Sequence, residues 1–156
     1  MDIEIRNYQE DDFDQVYKLV HETIENVYPL YYPRGAVNFF HDHHNEKIMK
    51  QDFSEGSVLV AVKDSEIIGT GTLIGNKVKR LFVKPEEQGQ GCGRLIMEEL
   101  ESIASKNGYL SIELYASLSS FNFYLKRGYS MKEYKAFDVK DNEKLCCFLM
   151  HKHINF

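Results

Sequence analysis

The sequence predicts an α/β fold: a mixed, mostly antiparallel central sheet of about seven strands, flanked by four helices on its two faces. Three observations predict it. Segments of period-two alternation and of helical periodicity follow in the order strand, two helices, three strands, helix, strand, helix, two strands. Turn dipeptides stand between neighbouring strand candidates at Asp64-Ser65, Gly75-Asn76 and Asp141-Asn142. A chain of 156 residues, 43% hydrophobic and 13% aromatic, holds the apolar material for one core. No repeat, low-complexity tract or Pro/Ser-rich linker divides it, so residues 1–156 read as one domain.

Residues 2–8 alternate in polarity as a first strand. Phe13, Val16, Tyr17, Val20, Ile24 and Val27 then recur at helical spacing, with Asp11, Asp12 and Asp14 at the dipole-favoured start. Pro29 and Pro33 break that helix, and a second is expected from about Gly35 to Gln51, with Val37, Phe40, His44 and Ile48 on one side. Residues 57–63, 66–74 and 77–83 read as an antiparallel meander, which Pro85 ends. After a glycine-rich loop, Ile96, Leu100 and Ile103 mark a helix that stops near Asn107-Gly108. Residues 110–115 read as a fifth strand. Ser119 or Ser120 starts a short helix that ends at Gly128, and residues 130–139 and 144–153 form a closing hairpin.

Composition excludes several classes of function. A net charge of −5 with no basic block argues against nucleic acid as a partner and mildly favours a cationic substrate. No stretch approaches the roughly 18 apolar residues of a membrane span, and residues 1–6 show no leader pattern, so a cytoplasmic protein without a membrane partner is expected. Cys146 and Cys147 are strand neighbours that point to opposite faces. With Cys92 they read as buried thiols in a reducing compartment, not as a disulfide framework.

The most informative segment is 81–94: a strand, a proline stop, a loop with Gly89, Gly91 and Gly93, then a helix. A helix N-terminus offers unpaired amides and a partial positive charge, and glycines let backbone close around an anion, so the loop is suited to phosphate. It lacks the Gly-Lys-Ser/Thr of a phosphate-loop NTPase, and its G-x-G-x-G spacing departs from the dinucleotide fingerprint. The loop matches Q/R-x-x-G-x-G/A as Gln88-x-x-Gly91-x-Gly93, preceded by Leu81-Phe82-Val83-x-Pro85. Downstream, Phe123-Tyr124-Leu125-Lys126-Arg127-Gly128-Tyr129 is similar to a recurrent "lYeklGF" segment. In these motifs, and in element order over nearly the whole chain, the sequence resembles the GNAT N-acetyltransferase superfamily.

That resemblance implies acetyl-CoA as co-substrate and an amine as acceptor. Backbone groups of Leu81, Phe82 and Val83 would bind the pantetheine arm as an added strand, and one N–H would hold the developing oxyanion. Gln88, Gly89, Gln90, Gly91, Cys92, Gly93 and Arg94 would cradle the pyrophosphate. Tyr124 aligns with a tyrosine that protonates the leaving thiolate, a task suited to a phenol still protonated at neutral pH. Two positions depart from the pattern. Lys77 stands where a glutamate base is common, and Ser117 where an asparagine is common, although Ser117 can still reach the cofactor.

The base therefore stays open among Glu113, His21, His41, His43, His44 and a water chain. Tyr28, Tyr31, Tyr32, Phe39 and Phe40 either line an acceptor pocket or form a satellite core. His41 and His44 share a helical face, but without a third ligand they assign no metal. The reading is an acetyltransferase acting on the primary amine of a small molecule by direct attack, with a homodimer left open. An acyl-CoA sensor on the same fold and an acetyltransferase of a protein amine are the alternatives.

Overall fold

In the computed structural model, which describes residues 2–154, seven strands form one sheet. They are β1 (Glu4–Asn7), β2 (Ser57–Lys63), β3 (Glu66–Ile74), β4 (Lys77–Val83), β5 (Ser111–Ser117), β6 (Ser130–Val139) and β7 (Glu143–His153), in the order β1-β2-β3-β4-β5-β7-β6. Every pairing is antiparallel except β4 with β5. Asp64 and Ser65 both take positive φ, the primed-turn geometry whose twist matches a two-residue hairpin.

Helices α1 (Phe13–Val27), α2 (Arg34–His43) and α3 (Glu46–Glu55) belong to one face, and α4 (Cys92–Lys106) and α5 (Phe121–Lys126) to the other. Val16, Val20 and Ile24 of α1 are fully buried against Val60, Ile67 and Phe82. Ile96, Leu100 and Ala104 of α4 pack on Ile68, Leu73 and Val78. Each such aliphatic side chain contributes roughly 1.5–3 kcal/mol through burial, so two apolar stripes clamp the sheet from both sides.

The flanking helices number five, not four. The expected helix from Gly35 to Gln51 is α2 and α3, separated at His44 and Asn45. Asn45 enforces the break: its side chain accepts the Ile48 N–H at 2.9 Å as N-cap of α3 and donates to the Asp42 carbonyl behind it. An N-cap residue has extended backbone, so the preceding helix must end there.

Two irregularities open the sheet. At Arg80, φ is 53° and the β3–β4 register shifts between Thr70 and Thr72, a bulge that turns both Lys79 and Arg80 toward Asp52 of α3. The parallel β4–β5 pairing covers only Lys77 with Glu113 and Val78 with Leu114. Beyond Val78 the two strands diverge, and a cleft lies between them.

Candidate functional site

The cleft, of about 250 Å³, runs from the end of β4 across the loop into α4 and beneath α1. Lys84 N–H bonds the Ile68 carbonyl, and Phe82 is paired with Thr70 in the same register. By ladder alternation the backbone groups of Leu81 and Val83 point away from β3, toward the gap left by β5. One of them, the Val83 carbonyl, accepts the Gln88 side-chain amide at 3.0 Å. A single edge of β4 thus offers groups without a strand partner, which an extended ligand can bind as a strand.

The loop meets the requirements of an anion cradle. Gly89 and Gly91 have φ of 79° and 91°, a region that strains any residue with a Cβ. Leu95 N–H makes the first bond back into α4, to the Gly91 carbonyl, so the amides of Cys92, Gly93 and Arg94 ahead of it have no acceptor within the helix. At Gly93 a Cβ would stand 3.0 Å from the Phe123 ring. That ring is also covered by the Arg127 guanidinium, 4.9 Å from its centroid. The residues present therefore fit the diphosphate and pantetheine arm of coenzyme A.

Leu81, Phe82, Val83, Gln88, Gly89, Cys92, Gly93, Ser117 and Tyr124 all line the cleft. Gln90, Gly91 and Arg94 stand on the same loop but outside that lining. Gln90 lies 3.4 Å from the Lys63 ammonium, and Arg94, whose guanidinium lies beside Gly91, reaches Glu98 at 3.1 Å. Lys63 also holds Glu87, the one ionisable carboxylate in the lining, at 2.8 Å.

Tyr124 is buried, and its hydroxyl makes no hydrogen bond to protein among the described residues. Burial, and then the neighbouring Tyr28, raise its pKa, so the phenol holds its proton throughout the neutral range. Tyr28 is pushed up to about 12 by burial, with the Ser117 hydroxyl acting in the opposite sense. Ser117 lies 2.8 Å from the Ser119 hydroxyl and 3.0 Å from that of Ser120. Ser120 occupies the N-cap position of α5, yet its hydroxyl turns back to the Ser117 carbonyl and does not cap the helix. Burial, and then Glu87, push the Cys92 thiol up to about 11.

None of the base candidates borders this cleft. Glu113 pairs with Lys132 at 3.3 Å, and His43 stacks on Phe39. His21 presents Nε2 to the His44 carbonyl at 2.6 Å, so it donates there, and its Nδ1 lies 2.7 Å from His41 Nδ1. Burial lowers the His21 pKa and favours its neutral form, whose Nδ1 accepts from His41. His41 turns its other nitrogen to Glu25 at 3.3 Å. His44, expected to share a face with His41, lies past the end of α2 and accepts from Arg80 instead. Among the described residues no three His, Cys, Asp or Glu side chains converge as metal ligands.

The aromatic segment proves to be both core and wall. Tyr28, Tyr32 and Phe40 pack together with ring centroids 4.7–5.8 Å apart, and Tyr28 also faces the cleft. Tyr32 Oη accepts the Leu118 N–H at 2.9 Å and donates to the Cys146 carbonyl at 2.6 Å, so one oxygen joins this segment to β7 and to the turn after β5. Tyr31 and Leu30 are exposed.

Thr23, Val27 and Phe123 border the cleft without having been singled out as site residues. Thr23 and Val27 are four apart on α1, a spacing that in sequence reads as core. Thr23 is 4% exposed and its Oγ1 has no hydrogen-bond partner among the described residues, an arrangement that costs about 1–3 kcal/mol if nothing fills it.

Comparison with known proteins follows this geometry. A family model described as Acetyltransferase (GNAT) domain matches residues 27–142. A spermidine N(1)-acetyltransferase of Thermoplasma acidophilum is 28% identical over 147 residues, covering 85% of this chain and 91% of the relative. The crystal structure of the PaiA N-acetyltransferase of Thermoplasma acidophilum in complex with coenzyme A superposes with a TM-score of 0.75 at 25% identity, covering 99% of this chain and 100% of that one. A GCN5-related N-acetyltransferase from Rhodopseudomonas palustris superposes with a TM-score of 0.90 at 22% identity over 99% and 97% of the two chains, which shows a shared fold. No helix among the described residues is long and apolar enough to cross a membrane.

Proposed function

The chain belongs to the acetyltransferase (GNAT) family and is an N-acetyltransferase with acetyl-CoA as co-substrate, and from that premise we propose that its acceptor is the primary amine of a small aliphatic molecule, attacked directly. The observation that carries the acceptor class is the chemistry of the cleft wall. No Lys, Arg or His stands among the lining residues, so the carboxylate of an α-amino acid would have no cation to meet. At the α1 end the wall is Thr23, Val27, Tyr28 and Phe82, suited to an alkyl stem beside an amine. The spermidine acetyltransferase relative is in keeping with this class.

Acetyl-CoA supplies an acyl group activated as a thioester, and the protein orients it. Leu81 and Val83 present backbone groups to the arm, and the loop amides hold the diphosphate. The new N–C bond forms as the C–S bond breaks; the surplus proton on nitrogen passes to water, since no histidine borders the cleft and its carboxylate, Glu87, is held by Lys63. Tyr124 donates a hydrogen bond to the departing sulfur. Because burial raises its pKa, it stabilises the thiolate without surrendering its proton fully. Cys92 at about 11 is almost entirely thiol near neutrality, which disfavours an acyl-enzyme route.

Thiol release from acetyl-CoA, measured against a panel of linear diamines and polyamines, arylalkylamines, α-amino acids and a peptide α-amine, tests the proposal. The first two groups should support turnover. Turnover confined to α-amino acids or to the peptide would refute the acceptor class.

A further inference from the structure

Resting on that reading of the site, we infer that Thr23 Oγ1 is the hydrogen-bond acceptor that holds the nitrogen of the incoming amine. A threonine inside a helix ordinarily gives its hydroxyl to the carbonyl three or four residues back. Thr23 does not: its Oγ1 is buried and has no partner, although it sits on the face of α1 that borders the cleft. Orphaned hydroxyls in a native interior call for an explanation, and here the residue that carries one is among those lining the cleft.

The neighbouring groups sharpen the assignment. Tyr28 and Ser117 both line the cleft, and the Ser117 hydroxyl lies 2.8 Å from that of Ser119 and 3.0 Å from that of Ser120. Tyr124 stands on α5, on the face of the sheet opposite to α1. Val27, one turn after Thr23, and Phe82, beneath it, are apolar. Thr23 thus carries the fully buried side-chain oxygen of this wall that has no partner among the described residues. An ammonium group has donors only, so it meets the Thr23 oxygen as acceptor and keeps that contact after losing one proton. The nitrogen is then fixed by a neutral oxygen, and its charge is not neutralised by a carboxylate. Such a subsite discriminates by the number of N–H groups: primary amines fit, and tertiary amines, which cannot keep an N–H through attack, do not.

Thr23→Val keeps the volume and branching while removing the oxygen, and Thr23→Ser keeps the oxygen. With an amine that the wild type acetylates, Thr23→Val should raise the KM for amine about tenfold or more, the loss expected for one hydrogen bond to a charged group, and leave the KM for acetyl-CoA within twofold. Thr23→Ser should stay near wild type in both. The melting temperature of Thr23→Val should equal or exceed that of the wild type, because a methyl group replaces an unpaired hydroxyl. If the valine variant folds poorly, Thr23→Cys supplies the same comparison with a weak acceptor. An amine KM within twofold of wild type in the folded oxygen-free variant overturns the assignment alone. A wild type that acetylates no amine in the panel overturns it together with the acceptor class.

Discussion

Arg80 donates its Nε proton to His44 Nδ1 at 2.9 Å and grips Asp52 through NH1 at 2.6 Å, so neutral His44 carries its own proton on Nε2. Burial first, then Arg80 and the histidines at 21, 43 and 41, depress the His44 pKa to about 3. The bulge that gives Arg80 its positive φ is what aims the guanidinium at this ring.

A histidine held neutral in the fold lets the unfolded chain bind a proton that the folded chain refuses. Its stabilising effect is complete above pH about 6.5 and is lost as pH falls from there toward 3. Melting temperature should therefore decline between pH 6.5 and 5. In this range Glu25, lowered to about 2 by Arg34, has not begun to titrate. His44→Asn, which keeps an acceptor for Arg80, should flatten that decline. Parallel melting curves for the two proteins across this interval would remove His44 as its cause.

Tyr124→Phe should lower kcat by about 10²-fold while coenzyme A affinity stays within twofold, as expected for a positioned hydrogen-bond donor. Its stability should not suffer, because the hydroxyl has no protein partner to lose. Undiminished kcat in the phenylalanine variant would take Tyr124 out of the reaction.

Cys92→Ala should retain turnover within a few-fold and lose about 1 kcal/mol of stability, because the thiol is fully packed at the start of α4. Wild-type protein mixed with acetyl-CoA and no amine should gain no mass. An acetyl adduct on Cys92, with an inactive alanine variant, would replace direct attack by a two-step transfer.

Much of the scaffold was legible in the sequence. The three meander strands occupy 57–63, 66–74 and 77–83 as read, because alternation and primed-turn residues act over a few positions. The helix break was not legible. Val37, Phe40, His44 and Ile48 keep helical phase straight through it and masked the N-cap at Asn45, and the partner that His44 then finds is Arg80, 36 residues away. The glycine loop and Tyr124 carried a motif, and the structure brings most of that set to one cleft. Thr23 was hidden because a threonine four residues before a valine looks like packing; only an unpartnered oxygen beside a cleft distinguishes it. The histidines misled by spacing, since His41 finds its partner on α1, 20 residues back.

The oxygen of Tyr32 has a consequence for how the enzyme comes into being. Its two partners lie 86 and 114 residues further along the chain, one of them in β7. A ribosome releases the phosphate loop and both aromatic helices well before Cys146 emerges, so the nascent protein carries every motif of the enzyme and still has an unfastened acceptor wall. Activity should therefore arrive only with the β6–β7 hairpin, and a translation product stalled or clipped before Cys146 should be inert.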